Sequence, residues 1–210
     1  MPLVSVAGAT SRAGKTALAE SILRGLPTGS ATAVKFTTTE DVFERCPRGT
    51  PCVVCDIDVP FRIVSEDSVI REAGTDTLRL AEAGARRVVW AIARKQAVRH
   101  AWRQVSSLLA PGLWVMEGST ITLEAKPELL LFVVHPFLDP ARWKETSAHL
   151  LGAADAVVVN RPSGEPRAPS PSVLAAIQAR RERDDVLIAD VTRPLREWAP
   201  QLASRIGALS

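Results

Sequence analysis

The sequence lacks any apolar run close to the roughly twenty residues that span a bilayer. Its longest apolar runs are 88–93 and 129–134 in a chain of 210 residues, and neither a basic leader nor a cleavage site precedes the first apolar run. It has only three cysteines, an odd number that cannot form a fully paired disulfide framework. We therefore expect a cytoplasmic protein that is not embedded in a membrane.

Blocks of like charge are also missing. The formal net charge is +3 and the pI is near 9.0, but the arginines are scattered along the chain, so nucleic-acid binding is not strongly indicated. Lysines are scarce, and Lys15, Lys35 and Lys126 stand out against the arginine background. With 46% hydrophobic residues the chain can bury a substantial core, and we expect one domain over 1–210.

A candidate phosphate-binding loop follows the first apolar run, 3–8. It comprises Ala9, Thr10, Ser11, Arg12, Ala13, Gly14, Lys15 and Thr16, with Ala9 at the usual first glycine. Such a loop points backbone N–H groups at phosphates and opens a helix. Lys15 is expected to reach the β/γ-phosphates, and the Thr16 hydroxyl is expected to bind Mg²⁺. The loop predicts Mg²⁺-dependent binding of GTP or ATP; the alternative is an ordinary strand-turn-helix joint.

Apolar runs alternate with helical patterns along the rest of the chain. Near-continuous apolar strands are typical of a parallel sheet covered by helices on both faces. We predict an α/β fold of the P-loop NTPase type, with a mostly parallel, doubly wound sheet. The predicted strands are 3–7, 32–36, 87–92, 112–117, 128–134, 155–160 and 185–190, and the predicted helices are 15–26, 76–84, 95–109, 139–151, 171–182 and 194–207.

Two further strand ends carry polar residues at the edge of the sheet where ligands bind. Glu117 and Gly118 close one strand, where Glu117 is a candidate for holding Mg²⁺ or orienting the attacking group, and the Gly118 N–H is a candidate contact of the γ-phosphate. The alternative is an acidic turn. Asn160 resembles the base-reading residue of G-protein-like enzymes, but Ser163 stands where their aspartate would be, so the base is open and Asn160 also fits a turn.

All three cysteines fall in the segment 37–63, which is predicted to be irregular. Cys46, Cys52 and Cys55 are spaced closely enough to share zinc or an iron–sulfur cluster that would order this loop. The fourth ligand would come from another chain or from Asp41, Asp56, Asp58 or a histidine. A redox pair of Cys52 with Cys55, or three inert cysteines, are the alternatives.

Three segments together resemble the molybdopterin-guanine dinucleotide biosynthesis protein B family. They are Ala-Val-Lys-Phe-Thr-Thr-Thr at 33–39, Gly-Thr-Asp-Thr-Leu-Arg-Leu-Ala-Glu-Ala-Gly-Ala at 74–85 and Val-Met-Glu-Gly at 115–118. Members are small P-loop GTP-binding proteins, often dimeric, that assist nucleotide attachment to molybdopterin. The resemblance implies a homodimer, a partner protein of cofactor assembly, and nucleotide or metal contacts by Lys15, Thr16, Asp76, Arg79 and Glu117. Lys35, which is similar to the lysine of the family's second strand, is a further candidate nucleotide contact.

This resemblance favours a slow accessory NTPase in which Lys15, Asp76 and Glu117 act in catalysis. The chain departs from the family at 46–55 and in a longer C-terminal region. The phosphate loop is also similar to that of dethiobiotin-synthetase-like ligases, so a second hypothesis is a small-molecule kinase or ATP-dependent ligase. There Lys35, Asp58 or Asp76 would position an acceptor. A third hypothesis is a metal- or redox-responsive switch whose nucleotide site gates a partner.

Overall fold

One eight-stranded sheet organises the computed structural model, which describes residues 2–39, 59–108, 110–180 and 186–209. The strands are β1 (Leu3–Gly8), β2 (Ala31–Thr39), β3 (Phe61–Val64), β4 (Arg87–Arg94), β5 (Leu113–Glu117), β6 (Leu129–Val134), β7 (Ala156–Asn160) and β8 (Val186–Ala189). Their order is β3-β4-β2-β5-β1-β6-β7-β8. Every pairing is parallel except β3 with β4, which is antiparallel.

Helices cover both faces of this sheet. They are α1 (Lys15–Gly25), α2 (Asp67–Ile70), α3 (Asp76–Glu82), α4 (Val98–Leu108), α5 (Ser119–Ala125), α6 (Ser147–Ala153), α7 (Pro171–Gln178), α8 (Leu195–Trp198) and α9 (Pro200–Gly207). Helices α1, α3, α8 and α9 pack on one face and α4 to α7 on the other. The predicted α/β fold with a mostly parallel, doubly wound sheet is confirmed.

The alternation of side chains along β1 shows how the two faces are built. Val4 and Val6 pack with Leu18 of α1 in the core on one face. Leu3 and Ala7 belong to cores on the opposite face. All six residues of β1 are buried, as expected for a central strand covered on both sides.

Two predicted helices are wrong in their extent. The helix expected at 194–207 is broken into α8 and α9 at Ala199, because Pro200 disfavours helical backbone in the residue before it. The helix expected at 139–151 consists of a 3₁₀ turn, Pro140–Arg142, and the separate helix α6. Helices α2 and α5 were not predicted, since they span only four and seven residues and carry too few turns for a clear helical period.

The segment 37–63 is less irregular than predicted. Strand β2 continues to Thr39, paired along its length with β4, and Phe61 begins β3 on the outer edge of β4. Three threonines at 37–39 suit a strand that is only half-buried at its end. Pairing with β4 therefore extends regular structure into both ends of this segment.

The order of the central strands positions the candidate site. Strand β5 lies between β1 and β2, with Glu117 in register with Val6 on one side and Lys35 on the other. The strands are parallel, so their carboxyl ends meet at one edge of the sheet. The loop after β1, the end of β5 and Lys35 of β2 consequently face the same space.

Candidate nucleotide site

The loop between β1 and α1 is shaped by two residues with left-handed backbone. Gly14 caps α1 at φ 105° and Arg12 has φ 61°. A Cβ on Gly14 would lie 2.3 Å from Nδ2 of Asn160, so both the conformation and the space require glycine. The Ala9 N–H donates to the Val133 carbonyl at 3.0 Å, which fixes the start of the loop on the sheet. The loop thus delivers the N-terminus of an eleven-residue helix to the sheet edge.

Thr16 and Glu117 are the closest functional pair. The Thr16 hydroxyl donates to Glu117 Oε2 at 2.9 Å, and both residues are buried. Thr16 occupies the first turn of α1, and Glu117 is the last residue of β5. The hydroxyl and the carboxylate predicted to serve Mg²⁺ are therefore brought together.

Lys35 joins this pair to Asp76. Its ammonium group donates to Asp76 Oδ2 at 2.7 Å and to Glu117 Oε1 at 3.4 Å. Burial alone would lower the pKa of Lys35, but the carboxylates of Glu117 and Asp76 outweigh burial, and the pKa lies above its usual value. Burial raises the pKa of Asp76, yet the charge and hydrogen bond of Lys35, together with the charge of Arg79, hold it below the usual value. Asp76 and Glu117 thus flank the Thr16 hydroxyl as oxygen ligands of the kind that Mg²⁺ prefers.

Lys15 stands apart from these ion pairs. Its Nζ donates to the Thr10 carbonyl at 3.2 Å, and the structure gives it no ion pair within the described ranges. Burial lowers its pKa to about 8, against an opposing effect of Glu117, and the neighbouring charges of Lys144 and Lys35 lower it further. An ammonium held in this way gains from a bound anion.

These groups open into a cavity of about 630 Å³. Five of its side chains are cationic and two are acidic, which suits a polyanionic ligand. Residues of the loop, of the end of β2 and of the start of α5 complete the wall. The lining residues are Ser11, Arg12, Gly14, Lys15, Thr16, Ala17, Lys35, Phe36, Thr37, Thr38, Asp76, Arg79, Glu117, Gly118, Ser119, Thr120 and Lys144.

Arg79 binds the two helices beside the cavity to each other. Its Nε and Nη2 donate to the two oxygens of Glu20 at 2.9 and 2.8 Å, a bidentate pair between α3 and α1. Its Nη1 donates to Asp76 Oδ1 at 3.4 Å. Arg79 therefore orients Asp76 while it neutralises the buried Glu20, and its predicted contact with nucleotide stays a prediction.

Gly118 lies at the cavity, but its N–H points elsewhere. That group donates to the Val6 carbonyl at 3.0 Å and belongs to the hydrogen bonding of the sheet. The expectation that it meets the γ-phosphate is therefore wrong. Glycine is needed here for space, since a Cβ would lie 2.7 Å from Ile121 Cγ2 and 3.0 Å from Phe36.

Asn160 lies against the phosphate loop. Its Nδ2 donates to the Ala13 carbonyl at 3.4 Å, and its Oδ1 is buried without a partner in the part of the chain that the structure describes. Asn160 is not among the residues that line the cavity. Base recognition by this residue stays a prediction.

Sequence reasoning missed Lys144, Glu20 and Ser119. The Ser119 hydroxyl contacts both the N–H and the carbonyl of Gly8, at 3.0 and 3.1 Å. The scarcity of lysine is a signal that could have found Lys144, because three of the five lysines in the sequence line this cavity. Lys126, which stood out in the sequence, instead ends α5 with left-handed backbone.

The predicted cysteine centre is not described. Cys46, Cys52 and Cys55, together with Asp41, Asp56 and Asp58, lie outside the described residues. Within the described ranges, no group of three or more histidine, cysteine, aspartate or glutamate side chains is arranged to hold a metal ion. A search of the same ranges finds no helix long and apolar enough to cross a membrane.

Comparison with known protein families and with curated proteins finds no match to this chain. Among solved structures, the chain is similar to the septum site-determining protein MinD complexed with Mg-ADP from Pyrococcus horikoshii OT3. The TM-score is 0.42 at 13% sequence identity, and the match covers 99% of this chain and 92% of that chain. The assignment of the fold rests on the sheet topology and loop geometry described above.

Proposed function

We propose that this protein binds a magnesium nucleoside triphosphate in the cavity behind residues 9–16 and hydrolyses it slowly. The observation that carries the proposal is the hydrogen bond of 2.9 Å between the Thr16 hydroxyl and Glu117. Beside it lies the ammonium of Lys15, which donates to the Thr10 carbonyl and forms no ion pair with any residue that the structure describes. In an isolated strand-turn-helix joint there is no reason for a buried carboxylate and an unpaired lysine to meet at a helix N-terminus. A bound triphosphate with its metal gives each group a ligand.

Each residue then has a defined task. The loop N–H groups and Lys15 bind phosphate oxygens, and the first turn of α1 adds no acidic side chain that would oppose them. Thr16, Asp76 and Glu117 would hold Mg²⁺, which when bound neutralises charge on the phosphates. Lys35 donates to both carboxylates, and the Glu117 carboxylate would orient an attacking water.

For the biological role, we propose an accessory NTPase of cofactor assembly, cytoplasmic and homodimeric, that acts as one domain with a partner protein. The three segments that resemble the molybdopterin-guanine dinucleotide biosynthesis protein B family are distant in sequence. Each nevertheless contributes charged side chains to the same cavity wall: Lys35 from the first, Asp76 and Arg79 from the second, and Glu117 from the third. That these three segments meet at one cavity supports the resemblance to the family.

A second function is favoured by the extent of the cavity. It continues past the phosphate loop to Phe36, Thr37 and Thr38 of β2 and to Thr120 of α5. This leaves polar space beside Lys35 for a second substrate. In a small-molecule kinase or ligase, an oxygen of that substrate would attack the γ-phosphorus, and the nucleoside diphosphate would leave in line.

Product analysis separates these functions. Phosphate release from Mg-GTP and Mg-ATP is measured with and without EDTA, and ³¹P spectroscopy follows mixtures that contain carboxylate acceptors. We expect slow, Mg²⁺-dependent release of inorganic phosphate without an acceptor. A phosphorylated acceptor would favour the kinase or ligase, and no turnover of either nucleotide under any condition would contradict the hydrolysis.

The third hypothesis, a metal- or redox-responsive switch, depends on Cys46, Cys52 and Cys55. It is tested by elemental analysis of protein purified without oxygen and by the stability of the triple Cys→Ser variant. Stoichiometric zinc or iron and a less stable variant are expected if the cysteines share a centre. Metal-free protein with an equally stable variant would contradict the metal centre and leave the cysteines either redox-active or incidental.

A further inference from the structure

Lys144 lies between β6 and α6 and is fastened to the phosphate loop by its own backbone. Its N–H donates to the Ala9 carbonyl at 2.9 Å. The Ser147 hydroxyl donates to the same carbonyl at 3.1 Å, and the Ser147 N–H donates to the Lys144 carbonyl at 2.9 Å. The position of Lys144 relative to the loop is therefore fixed by main-chain contacts that a change of its side chain leaves in place.

The side chain of Lys144 lines the cavity. Lys35 and Arg79, two other cations of the same wall, are each neutralised by carboxylates. Lys144, like Lys15, forms no ion pair in the part of the chain that the structure describes. It is an exposed cation in the lining of a cavity that already holds a surplus of positive charge.

The neighbours of Lys144 indicate which part of a ligand it would meet. Lys144 lines the same cavity as Lys15 and Glu117. Its charge lowers the pKa of Lys15, and the Glu117 charge opposes the effect of burial on the pKa of Lys144. Lys15 is expected at the β/γ-phosphates, and Glu117 at the metal between them. A cation that shares the cavity wall with Lys15 and Glu117 suits the same end of a polyanionic ligand.

We propose that Lys144 binds the terminal phosphate of the nucleoside triphosphate, supplied to the site by the segment between β6 and α6. This inference rests on the proposed function of the cavity. It makes Lys144 a discriminator between triphosphate and diphosphate, because only the triphosphate places a charged group within its reach. A hydrogen bond to a charged phosphate oxygen also strengthens as charge accumulates there during cleavage.

The test compares Lys144→Ala and Lys144→Arg with wild type and with Arg142→Ala. Arg142 is an exposed cation two residues away that does not line the cavity, so it controls for general loss of charge. Calorimetric titrations use a non-hydrolysable triphosphate and the matching diphosphate, both with Mg²⁺. We expect Lys144→Ala to bind the triphosphate about tenfold or more weakly and the diphosphate within about twofold of wild type.

Lys144→Arg should retain most of the triphosphate affinity, and Arg142→Ala should match wild type. Equal weakening of both nucleotides, or no weakening of either, in Lys144→Ala would overturn the assignment. The role of Lys144 and the proposed function of the cavity are contradicted by different results. Loss of binding in Lys15→Ala with none in Lys144→Ala overturns only this inference, whereas a wild-type protein that binds neither nucleotide overturns the proposed function as well.

Discussion

Thr16 and Glu117 are 101 residues apart in the chain, yet the hydroxyl of one donates to the carboxylate of the other at 2.9 Å. The contact joins the first turn of α1 to the end of β5, two elements that adjoin because β5 pairs directly with β1. Both side chains are buried. The fold therefore brings two oxygen groups of the kind that Mg²⁺ prefers to one point at the edge of the sheet.

Glu117→Gln should bind nucleotide but lose Mg²⁺-dependent turnover by more than about a hundredfold, because the amide keeps the shape and removes the charge. Phosphate release at saturating nucleotide measures the effect. Glu124→Gln is the matched control, since Glu124 pairs with the exposed Arg99 at the protein surface. Unchanged turnover in Glu117→Gln would reduce this residue to the structural end of a strand.

The lowered pKa of Lys15 predicts how nucleotide affinity depends on pH. Because burial brings this pKa to about 8, the ammonium loses its proton as pH rises through that value, and affinity for the triphosphate should fall. Titrations at several pH values from 6.5 to 9.5 on a wild-type protein measure this. An affinity that stays constant across this window would contradict the assigned contact.

The same residue predicts an opposite trend for the stability of the unliganded protein. Unfolded Lys15 keeps its proton up to about pH 10.4, so between the two pKa values the unfolded state binds more protons and folding becomes more favourable as pH rises. Below about pH 8 the cost of the buried charge is fully present. Denaturation with urea at each pH should show a shallower rise in Lys15→Met than in wild type, and identical profiles would refute this origin.

Arg79→Ala should destabilise the protein by about 1–3 kcal/mol, because Glu20 is buried and loses its bidentate partner. Urea denaturation measures the change, and the double variant Glu20→Gln with Arg79→Ala supplies the cycle. In protein that already carries Glu20→Gln, Arg79→Ala should lower the free energy of unfolding by less than it does in wild type. An equally large decrease would show that the pair with Glu20 is not the cause.

Gly14→Ala combines a backbone cost with a steric one. Left-handed backbone alone costs a non-glycine residue about 1–3 kcal/mol, and the new methyl group would also lie 2.3 Å from Asn160. Gly164→Ala is the control, since φ is 87° there and nothing lies within 4 Å. We expect Gly14→Ala to be the more destabilising, with part of the excess recovered by Asn160→Gly. Equal losses in the two alanine variants would contradict the steric term.

The sequence predicted the centre of the fold better than its periphery. Strands β1, β5 and β6 are buried apolar runs whose character depends on no distant residue. Strand β3 is different, because its four residues are regular only through pairing with β4, and a short half-buried strand has no clear pattern of its own. Long-range pairing therefore decided the elements that local sequence could not.

The candidate site divides in a similar way. Lys15 and Thr16 were predicted because their motif is contiguous in the sequence. Lys144 lines the same cavity because its N–H donates to the Ala9 carbonyl and so holds its segment beside the phosphate loop. No spacing in the sequence indicates that contact. The Gly118 N–H was assigned to phosphate although the pairing of β5 with β1 engages it, which only the register of the sheet reveals.

The most direct test of the central claim is a calorimetric titration of wild type and Lys15→Ala with Mg-GTP and Mg-ATP, with circular dichroism to confirm that both are folded. We expect wild type to bind one of the two nucleotides in a Mg²⁺-dependent manner. Lys15→Ala should show no measurable binding and an unchanged spectrum, because the proposed role of Lys15 is to bind phosphate and its ammonium contacts a loop carbonyl. Equal affinity in the folded variant would contradict the phosphate site on which the account depends.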